Sequence, residues 1–425
     1  MKNVIVNGFE YFKKLESKIA FYPTLYSLIG LVFAFFMYYA ENKGISSYLI
    51  DNIPLLVINN TQTAFNILTT FIAGLISIMV FSFSMVMVLL NQASSNFSPR
   101  VLPGLISNKR HQKILGIYNA TLLFCIFTMV GIEPDGGENQ LPGFSVLLAI
   151  VFMVICLGAF IHSISQEIQV HNIMQRLFDE AKNRLDQLIN SEKNSNQKFP
   201  DTDNWTIYKS PETGFLQDIV LDPIIKFAKE NNNQFEIITI KGQYVYKDKP
   251  LFKSKTKLKD ENLEELFKYF HFSRDEIIED NYVLGFKQIT EIAVKAMSPG
   301  INDPGTTIIA IDYLAELFQI RMYKNDISIL FDDSQPLVKI NSVTFKELLY
   351  FVLAPIRTYA KHDVIIVNKL INMFQHLAFN IDCDNKGYLS DINNEVKLLS
   401  IDANSAINNQ EDLKYINNRL QSFNL

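Results

Sequence analysis

The residues with the clearest potential for chemistry form one loop, residues 298–307, which reads SPGINDPGTT. Its two glycines and final threonine have the spacing of the phosphate-binding pattern G-x-x-x-x-G-K-[ST], in which backbone N–H groups and a lysine hold phosphate oxygens. Thr306 occupies the lysine position, Pro304 removes a backbone donor, and the loop follows a predicted helix rather than a strand. The sequence therefore argues against a nucleotide-binding loop of this type.

The same loop has a simpler structural interpretation. Asp303 is placed to cap the next helix, Pro304 to take its first position, and Gly300 to turn the chain. Because a helix N-terminus also attracts anions, an anionic ligand is the alternative. The residues that would contact such a ligand, or build the loop, are Ser298, Gly300, Asn302, Asp303, Thr306 and Thr307.

The other titratable residues form no catalytic or metal-binding pattern. The six histidines are scattered, and His162 and His171 would lie on opposite faces of a helix. The three cysteines lack the spacing of a zinc site, and no nucleophile elbow, metalloprotease or kinase motif occurs. We therefore nominate no catalytic residue, metal ligand or cofactor, and the sequence leans against an enzyme.

A second set of polar residues lies in an uncharged stretch. No Asp, Glu, Lys or Arg occurs in residues 52–99, and the central residues 64–90 read AFNILTTFIAGLISIMVFSFSMVMVLL. About 20 such residues in a helix cross the hydrocarbon core, so this stretch predicts a transmembrane helix. Spacings of four and seven place five polar residues close to one face: Asn66, Thr70, Ser77, Ser84 and Asn91.

Two interpretations of this polar face are open. Small and hydroxylic residues on a membrane helix commonly pack against neighbouring helices, where they allow close approach and hydrogen-bond across the contact. Polar groups inside a membrane also mark permeation routes, so the face could line a water-filled path through an oligomer.

Four charge-free windows predict membrane helices near 21–40, 64–90, 114–132 and 141–165. A charge at a helix centre costs about 2.5 to 3.5 kcal/mol on the insertion scale, so four such windows are difficult to reconcile with a soluble protein. A signal peptide is the competing interpretation of the first window. That window is longer than a signal core and no A-x-A pattern follows it, which favours a retained anchor.

Charged residues between the windows predict the orientation. The second connection is basic and the third contains only acids. By the positive-inside tendency, the N-terminus and everything after the fourth helix face the cytoplasm. The net charge of -5 gives no basic surplus, so nucleic acid is not an expected partner. The bases that would contact lipid headgroups are Arg100, Lys109, Arg110 and Lys113.

The expected fold is thus an α-helical integral membrane domain with four transmembrane helices (1–165), a cytoplasmic helical extension and linker (166–195), and a mainly α cytoplasmic domain with a small β module (196–425). Apolar residues continue at helical spacing beyond the fourth window, which predicts an amphipathic helix. Such a helix could transmit movement, form an oligomer contact or pack on the next domain. Strands are predicted at 213–220, 235–239 and 244–246, and a helical pattern from residue 261 onward.

Two strings, ASSNFSPRVL (93–102) and SPGINDP (298–304), resemble a bacterial family of predicted membrane proteins with a domain of unknown function, number 2254. The order of features is similar over residues 21–378. This resemblance implies a location in the bacterial cytoplasmic membrane, and it implies no activity or binding residue.

These features favour a homo-oligomeric channel or transport-type protein, in which copies of the second helix surround a path and the cytoplasmic domain regulates it. The alternative is a membrane-anchored sensor or interaction module that binds a ligand or partner through the 298–307 loop. A lipid-modifying enzyme is a third option, supported by location alone. The expected partners are the lipid bilayer, further copies of the chain, and a small ion or anionic ligand.

Overall fold

The computed structural model describes residues 20–96, 109–132, 141–167, 170–192, 199–274, 281–332, 335–381 and 386–423. The chain divides into two units, Met1–Asn172 and Ile173–Leu425, called here the N-terminal unit and the C-terminal unit.

Long apolar helices form most of the N-terminal unit. In chain order its helices are α1 (Phe21–Asn42), the short α2 (Ile45–Asn52), a 3-10 turn (Pro54–Leu56), α3 (Thr61–Asn96), α4 (Lys109–Val130) and α5 (Gly143–Glu167). Among these described helices, α1, α3, α4 and α5 each hold an apolar stretch of 19 to 28 residues, long enough to cross a membrane. The four helical windows predicted from the sequence are confirmed as helices.

Much of the outward surface of α1, α3 and α5 is apolar. Val32, Phe36, Phe83, Val154 and Ile161 are 61–66 % exposed. An exposed apolar surface of this kind is unfavourable in water and is the surface that hydrocarbon chains cover.

Small residues bring α1 and α4 close together. A Cβ atom on Gly30 would lie 2.6 Å from the Cα atom of Ala120, and one on Gly116 would lie 2.9 Å from the Cβ atom of Tyr26. Membrane helices associate through such close backbone contact, because lipid offers no hydrophobic driving force between them.

Helix α6 (Val170–Glu192) leads into the C-terminal unit. The elements that follow are β1 (Thr206–Lys209), β2 (Gly214–Ile219), α7 (Leu221–Glu230), β3 (Phe235–Ile237), β4 (Tyr244–Val245), β5 (Pro250–Ser254), α8 (Asp260–Phe267), β6 (Phe270–Ser273), α9 (Tyr282–Ala296), α10 (Pro304–Arg321), β7 (Ile327–Asp332), β8 (Gln335–Asn341), α11 (Phe345–Ala360), α12 (Val364–Phe379), α13 (Lys386–Ala406), α14 (Gln410–Leu420) and a 3-10 turn (Gln421–Phe423).

The strands form two sheets. One has five strands in the order β1-β5-β3-β8-β7, and the other has three in the order β4-β2-β6. Strands β3 and β8 pair in parallel, with Phe235 opposite Val338, and the remaining pairs are antiparallel. Phe235, Phe252 and Val338 are buried in the core of this region.

The β structure is more extensive than the sequence predicted. The expected strands at 213–220, 235–239 and 244–246 are confirmed in shortened form as β2, β3 and β4. Strands β1 and β5 were not predicted, and the region after residue 261, predicted as helical, contains β6 and the β7–β8 hairpin. The hairpin joins the sheet through β3, about a hundred positions earlier in the chain, and such a pairing leaves no local periodicity in the sequence.

The amphipathic helix α6 packs on the C-terminal unit. Met174, Leu177 and Leu185 are at most 4 % exposed, and Ala181 lies so close to Gly285 of α9 that a Cβ on that glycine would be 2.6 Å from the alanine Cβ. This supports the simplest of the three predicted roles, in which the apolar face of the helix is part of a domain core. Whether α5 and α6 are continuous concerns residues 168–169, which lie outside the described ranges.

A buried carboxylate links the central strands. Glu236 of β3 accepts hydrogen bonds from the Thr202 hydroxyl (2.6 Å) and pairs with Lys253 of β5 (3.2 Å) and Lys339 of β8 (2.7 Å). Burial acts to raise the pKa of Glu236, but the donors from Lys339, Thr202 and Lys253 outweigh it and lower this pKa to about 2.

We expect Glu236→Gln to lower the free energy of unfolding by about 3 kcal/mol at pH 7, because both lysines lose their anion. The folded pKa of about 2 lies below the ordinary glutamate pKa of 4.5, so the contribution of this carboxylate to stability is complete above about pH 5 and disappears as the pH falls toward 2. Trp205 is the single tryptophan and reports denaturant unfolding of this region by its fluorescence.

The control is Glu230→Gln, because Glu230 is an exposed acid paired with Lys226 across one helical turn. This control should change the unfolding free energy by less than about 0.5 kcal/mol. An equal loss in both variants, or a difference between wild type and Glu236→Gln that does not depend on pH, would contradict the assignment.

Candidate functional site

Helix α3 has a buried side and a polar side that face in opposite directions. Ala64, Leu68 and Leu75 are at most 1 % exposed and pack in the N-terminal unit. The five residues of the predicted polar face are all exposed: Asn66, Thr70, Ser77, Ser84 and Asn91. This face therefore does not pack against the described helices of its own chain.

The hydroxyl groups of this face are bonded within the helix. Thr70, Ser77 and Ser84 each donate to the carbonyl oxygen four residues earlier, at 2.7, 2.9 and 2.9 Å. The Asn66 side-chain oxygen accepts from the amide of Gln62 at 3.0 Å. Because the hydroxyl hydrogens are bonded within the helix, the face presents the free lone pairs of the hydroxyl oxygens to its surroundings, where they can accept hydrogen bonds. A row of acceptor oxygens can contact water or replace part of the hydration shell of a cation.

The bases of the second connection are only partly within the described ranges. Lys113 is exposed, and its Nζ lies 5.3 Å from the centre of the Tyr22 ring, a cation–π contact between α4 and α1. Lys109 and Arg110 begin α4, but their side chains are outside the described part, as is Arg100 entirely.

In the 298–307 loop, Asp303 and Pro304 have the helix-starting roles that the structural interpretation predicted. Asp303 is the N-cap of α10, accepting from the backbone N–H of Thr306 at 3.1 Å and from its hydroxyl at 2.5 Å, and Pro304 begins the helix. The buried Thr307 hydroxyl donates to the Ala293 carbonyl of α9 at 3.1 Å. The carboxylate of Asp303 thus occupies the helix N-terminus, where an anion would bind.

The turn of this loop depends on a different residue from the one predicted. Asn302, not Gly300, has the left-handed backbone conformation, with φ 48°. Asparagine tolerates this region better than other residues with a side chain. A Cβ on Gly300 would meet no atom within 4 Å. Ser298 donates to the Lys295 carbonyl at 2.6 Å and helps to end α9.

A buried carboxylate that the sequence did not single out lies at the end of α1. Glu41 is 4 % exposed, accepts from the Ser46 hydroxyl (2.5 Å), and accepts from the backbone N–H (2.8 Å) and hydroxyl (2.7 Å) of Ser145. It therefore caps the N-terminus of α5, where negative charge is favourable. Glu41 and Ser145 are 104 positions apart. The local sequence therefore showed only an acidic residue at the end of an apolar window, and it did not indicate the partner of that residue.

The C-terminal unit also buries two arginines that the sequence did not single out. Arg321 is fully buried and pairs with Asp326 at 2.5 Å, and Arg357 pairs with Glu395 at 3.4 Å and with Asp402. Burial raises the pKa of Glu395, although Arg357 opposes this. These pairs connect elements within the core, so we assign them a structural role. Among the described residues, no group of three His, Cys, Asp or Glu side chains could hold a metal ion.

Four membrane-length apolar helices with a largely apolar outer surface, followed by a hydrophilic α and β unit, are typical of multi-helix membrane proteins. The family model described as "Predicted membrane protein (DUF2254)" matches residues 16–376. The chain belongs to this family, as the two sequence strings indicated.

Uncharacterised proteins of Mycobacterium tuberculosis and Mycobacterium bovis are 24 % identical to this chain over 323 residues. The match covers 70 % of this chain and 60 % of each relative, so the chain spans about 60 % of the length of these curated relatives. No solved structure matches the chain.

If the loop is architectural, Asp303→Ala should lower the unfolding free energy by about 1 kcal/mol through loss of the cap, and Asp303→Asn should retain most of the stability. The matched control is Asp363→Ala, because Asp363 caps α12 by accepting from two backbone N–H groups. Melting temperature of the full-length protein in detergent measures all three variants.

Added inorganic phosphate should leave the melting temperature unchanged, since a ligand that binds only the folded state would raise it. A rise with phosphate that Thr306→Val abolishes would instead identify a ligand site in the loop.

Proposed function

We propose that this protein is a homo-oligomeric channel or transport-type protein of a bacterial cytoplasmic membrane, in which the polar face of α3 lines the path. The observation that carries the proposal is that Ser77 and Ser84 are exposed, whereas Leu75 on the opposite side of the same helix is buried. No described residue of a single copy covers this face.

A second copy of the chain suits this face better than lipid does. Lipid chains offer no hydrogen-bond partner, whereas helix contacts in membranes are enriched in small and hydroxylic residues. The side-chain amides of Asn66 and Asn91 carry donors and acceptors that hydrocarbon cannot satisfy. Copies of α3 arranged around a symmetry axis would place these groups on one another or on enclosed water.

Helix α3 is longer than the hydrocarbon core is thick, so the proposed path can extend to the cytoplasmic side. Its 36 residues measure about 54 Å at 1.5 Å per residue, whereas the hydrocarbon core is about 30 Å thick. The helix therefore tilts or projects beyond the core. We propose that its C-terminal end reaches the basic connection and that the C-terminal unit regulates the path from there.

The second candidate is a membrane-anchored sensor, and a cleft in the C-terminal unit favours it more than the 298–307 loop does. Helices α10 and α12 line an open cleft of about 350 Å³. Lys369 and Asp312 form an ion pair at 2.5 Å on its wall, and His376 contacts the Gln319 amide at 2.9 Å. This mixture of charges would suit a small polar ligand. A ligand bound in this cleft could also regulate transport. If the protein carries no flux, sensing is the function that remains.

Purified protein in liposomes should carry an ion flux above that of empty liposomes. Ser77→Leu and Ser84→Leu should each reduce this flux at least about tenfold, because a bulky apolar side chain in the path removes an acceptor oxygen and excludes water. Ser82→Leu is the matched control, because Ser82 is half-buried on the other side of α3 at the same depth.

The proposal fails if flux equals that of empty liposomes, or if Ser77→Leu and Ser84→Leu conduct as well as the control. Size-exclusion profiles in detergent establish that all three variants assemble alike.

The proposed orientation is tested by cysteine labelling in a Cys383→Ser background, where the two remaining cysteines are buried. Asn59→Cys precedes α3 and should react with an impermeant maleimide in intact cells. Lys249→Cys lies in the C-terminal unit and should react only after permeabilisation. Both positions are exposed. The reverse pattern would invert the topology that the positive-inside tendency predicts.

A further inference from the structure

Helix α11 of the C-terminal unit is apolar on its outer side as well as on its inner side. Phe345, Leu349 and Leu353 are fully buried on the inner side. On the outer side, Tyr350 is 49 % and Phe351 is 65 % exposed, and their rings meet edge to face with centroids 6.1 Å apart. A helix with apolar residues on both sides normally has protein on both sides.

The outer side follows a regular pattern. We define the outer face of α11 as the stripe, at spacings of three and four, that comprises Glu347, Tyr350, Phe351, Ala354 and Thr358 of the helix and Lys361, the half-buried C-cap residue that follows Ala360. An acid stands at one end, a base stands at the other, and the small Ala354 lies seven residues from each. The stripe is thus complementary in charge to itself when it is turned end to end.

We propose that two copies of this chain pair through the outer face of α11, antiparallel across a two-fold axis at Ala354. Seven residues correspond to about 10.5 Å along a helix. When the two alanines meet at the axis, Glu347 lies opposite the partner's Lys361, and the same contact recurs on the other side of the axis. The antiparallel arrangement also places each helix N-terminus beside the C-terminus of the other helix, which is favourable for their dipoles.

The middle of the face is suited to close contact. Ala354 has a small side chain, which allows two helices to approach. Pro355 has no amide hydrogen, so the carbonyl oxygen of Phe351 lacks its helical donor. This oxygen is an acceptor on the exposed side of the helix, and Tyr350 supplies a hydroxyl within the same face. The contact therefore combines aromatic area with groups that can form hydrogen bonds.

The charge pattern favours a second copy over a membrane surface. Helices that lie on membranes carry several Lys or Arg residues on a polar side that faces water. Helix α11 has no such side, because its inner side is the core of the unit, and Glu347 on its outer face would be repelled by anionic lipid. A like helix in the opposite direction neutralises both ends.

This inference rests on the homo-oligomeric part of the proposed function and adds the surface, the symmetry and the direction of pairing. It does not depend on a path along α3. Loss of pairing through α11 with flux retained would overturn the inference alone, and pairing without flux would overturn only the transport proposal.

The test uses the full-length protein in native membranes and in nanodiscs, in a Cys383→Ser background with a short bismaleimide crosslinker. Ala354→Cys should yield covalent dimers, because the two thiols meet at the axis. Ile401→Cys is the control, since Ile401 is 66 % exposed on α13, outside the face. The control should yield no dimer above background.

Charge reversal then tests the direction of pairing in the Ala354→Cys protein. Glu347→Lys and Lys361→Glu should each reduce the crosslinked fraction about tenfold, since each places two like-charged pairs across the axis. The two reversals combined should restore crosslinking, although the double variant lacks the capping interaction of Glu347 just as Glu347→Lys does. A merely structural role of Glu347 would not be rescued by the change at Lys361.

The proposal is overturned if Ala354→Cys gives no more dimer than Ile401→Cys in a folded protein, or if the double reversal fails to restore crosslinking. Shielding of Ala354→Cys from a water-soluble maleimide without crosslinking would also overturn it, because another occupant would then cover the face.

Discussion

The N-terminal unit depends on the solvent that its four long helices require. Apart from the polar face of α3, the exposed side chains of these helices are largely apolar, which suits hydrocarbon better than water, and in hydrocarbon every backbone group must be bonded within the helices. The hydrophobic effect then cannot hold the helices together. Close backbone contact at Gly30 and Ala120 and the hydrogen-bonded carboxylate of Glu41 take over this role. Both are contacts between elements far apart in the chain.

In each unit, a helix face that could contact protein is exposed among the residues that the structure describes. In the N-terminal unit it is the polar face of α3, with Ser77 and Ser84 outward. In the C-terminal unit it is the outer face of α11, with Tyr350 and Phe351 outward. The two faces differ in chemistry: hydroxyl groups suit helix contacts in lipid, and aromatic rings suit contacts in water. Further copies of the chain would satisfy both.

The loop at 298–307 illustrates why a site-like sequence need not be a site. Residues that cap helices and residues that cradle anions are the same small polar residues, glycines and prolines, because both tasks involve the free N–H groups of a helix N-terminus. Asp303 uses those groups for itself, and Thr307 is committed to a carbonyl of the preceding helix. The cleft between α10 and α12, which no motif marked, is an open concave surface of the same unit.

The sequence by itself determined the four apolar helices, the cap at Asp303 and the family, because hydropathy, capping chemistry and short motifs are local properties. It also determined that the polar residues of α3 share a face, since 3.6 residues make a turn. Only the tertiary structure decided that this face is turned away from the described helices of its unit, that α6 belongs to the core of the C-terminal unit, and that β7 and β8 complete a sheet begun at β3. It also decided that Glu41 meets Ser145. These contacts join residues that are often about a hundred positions apart in the chain. The spacing of residues within a helix or strand does not encode which distant surface will cover that element.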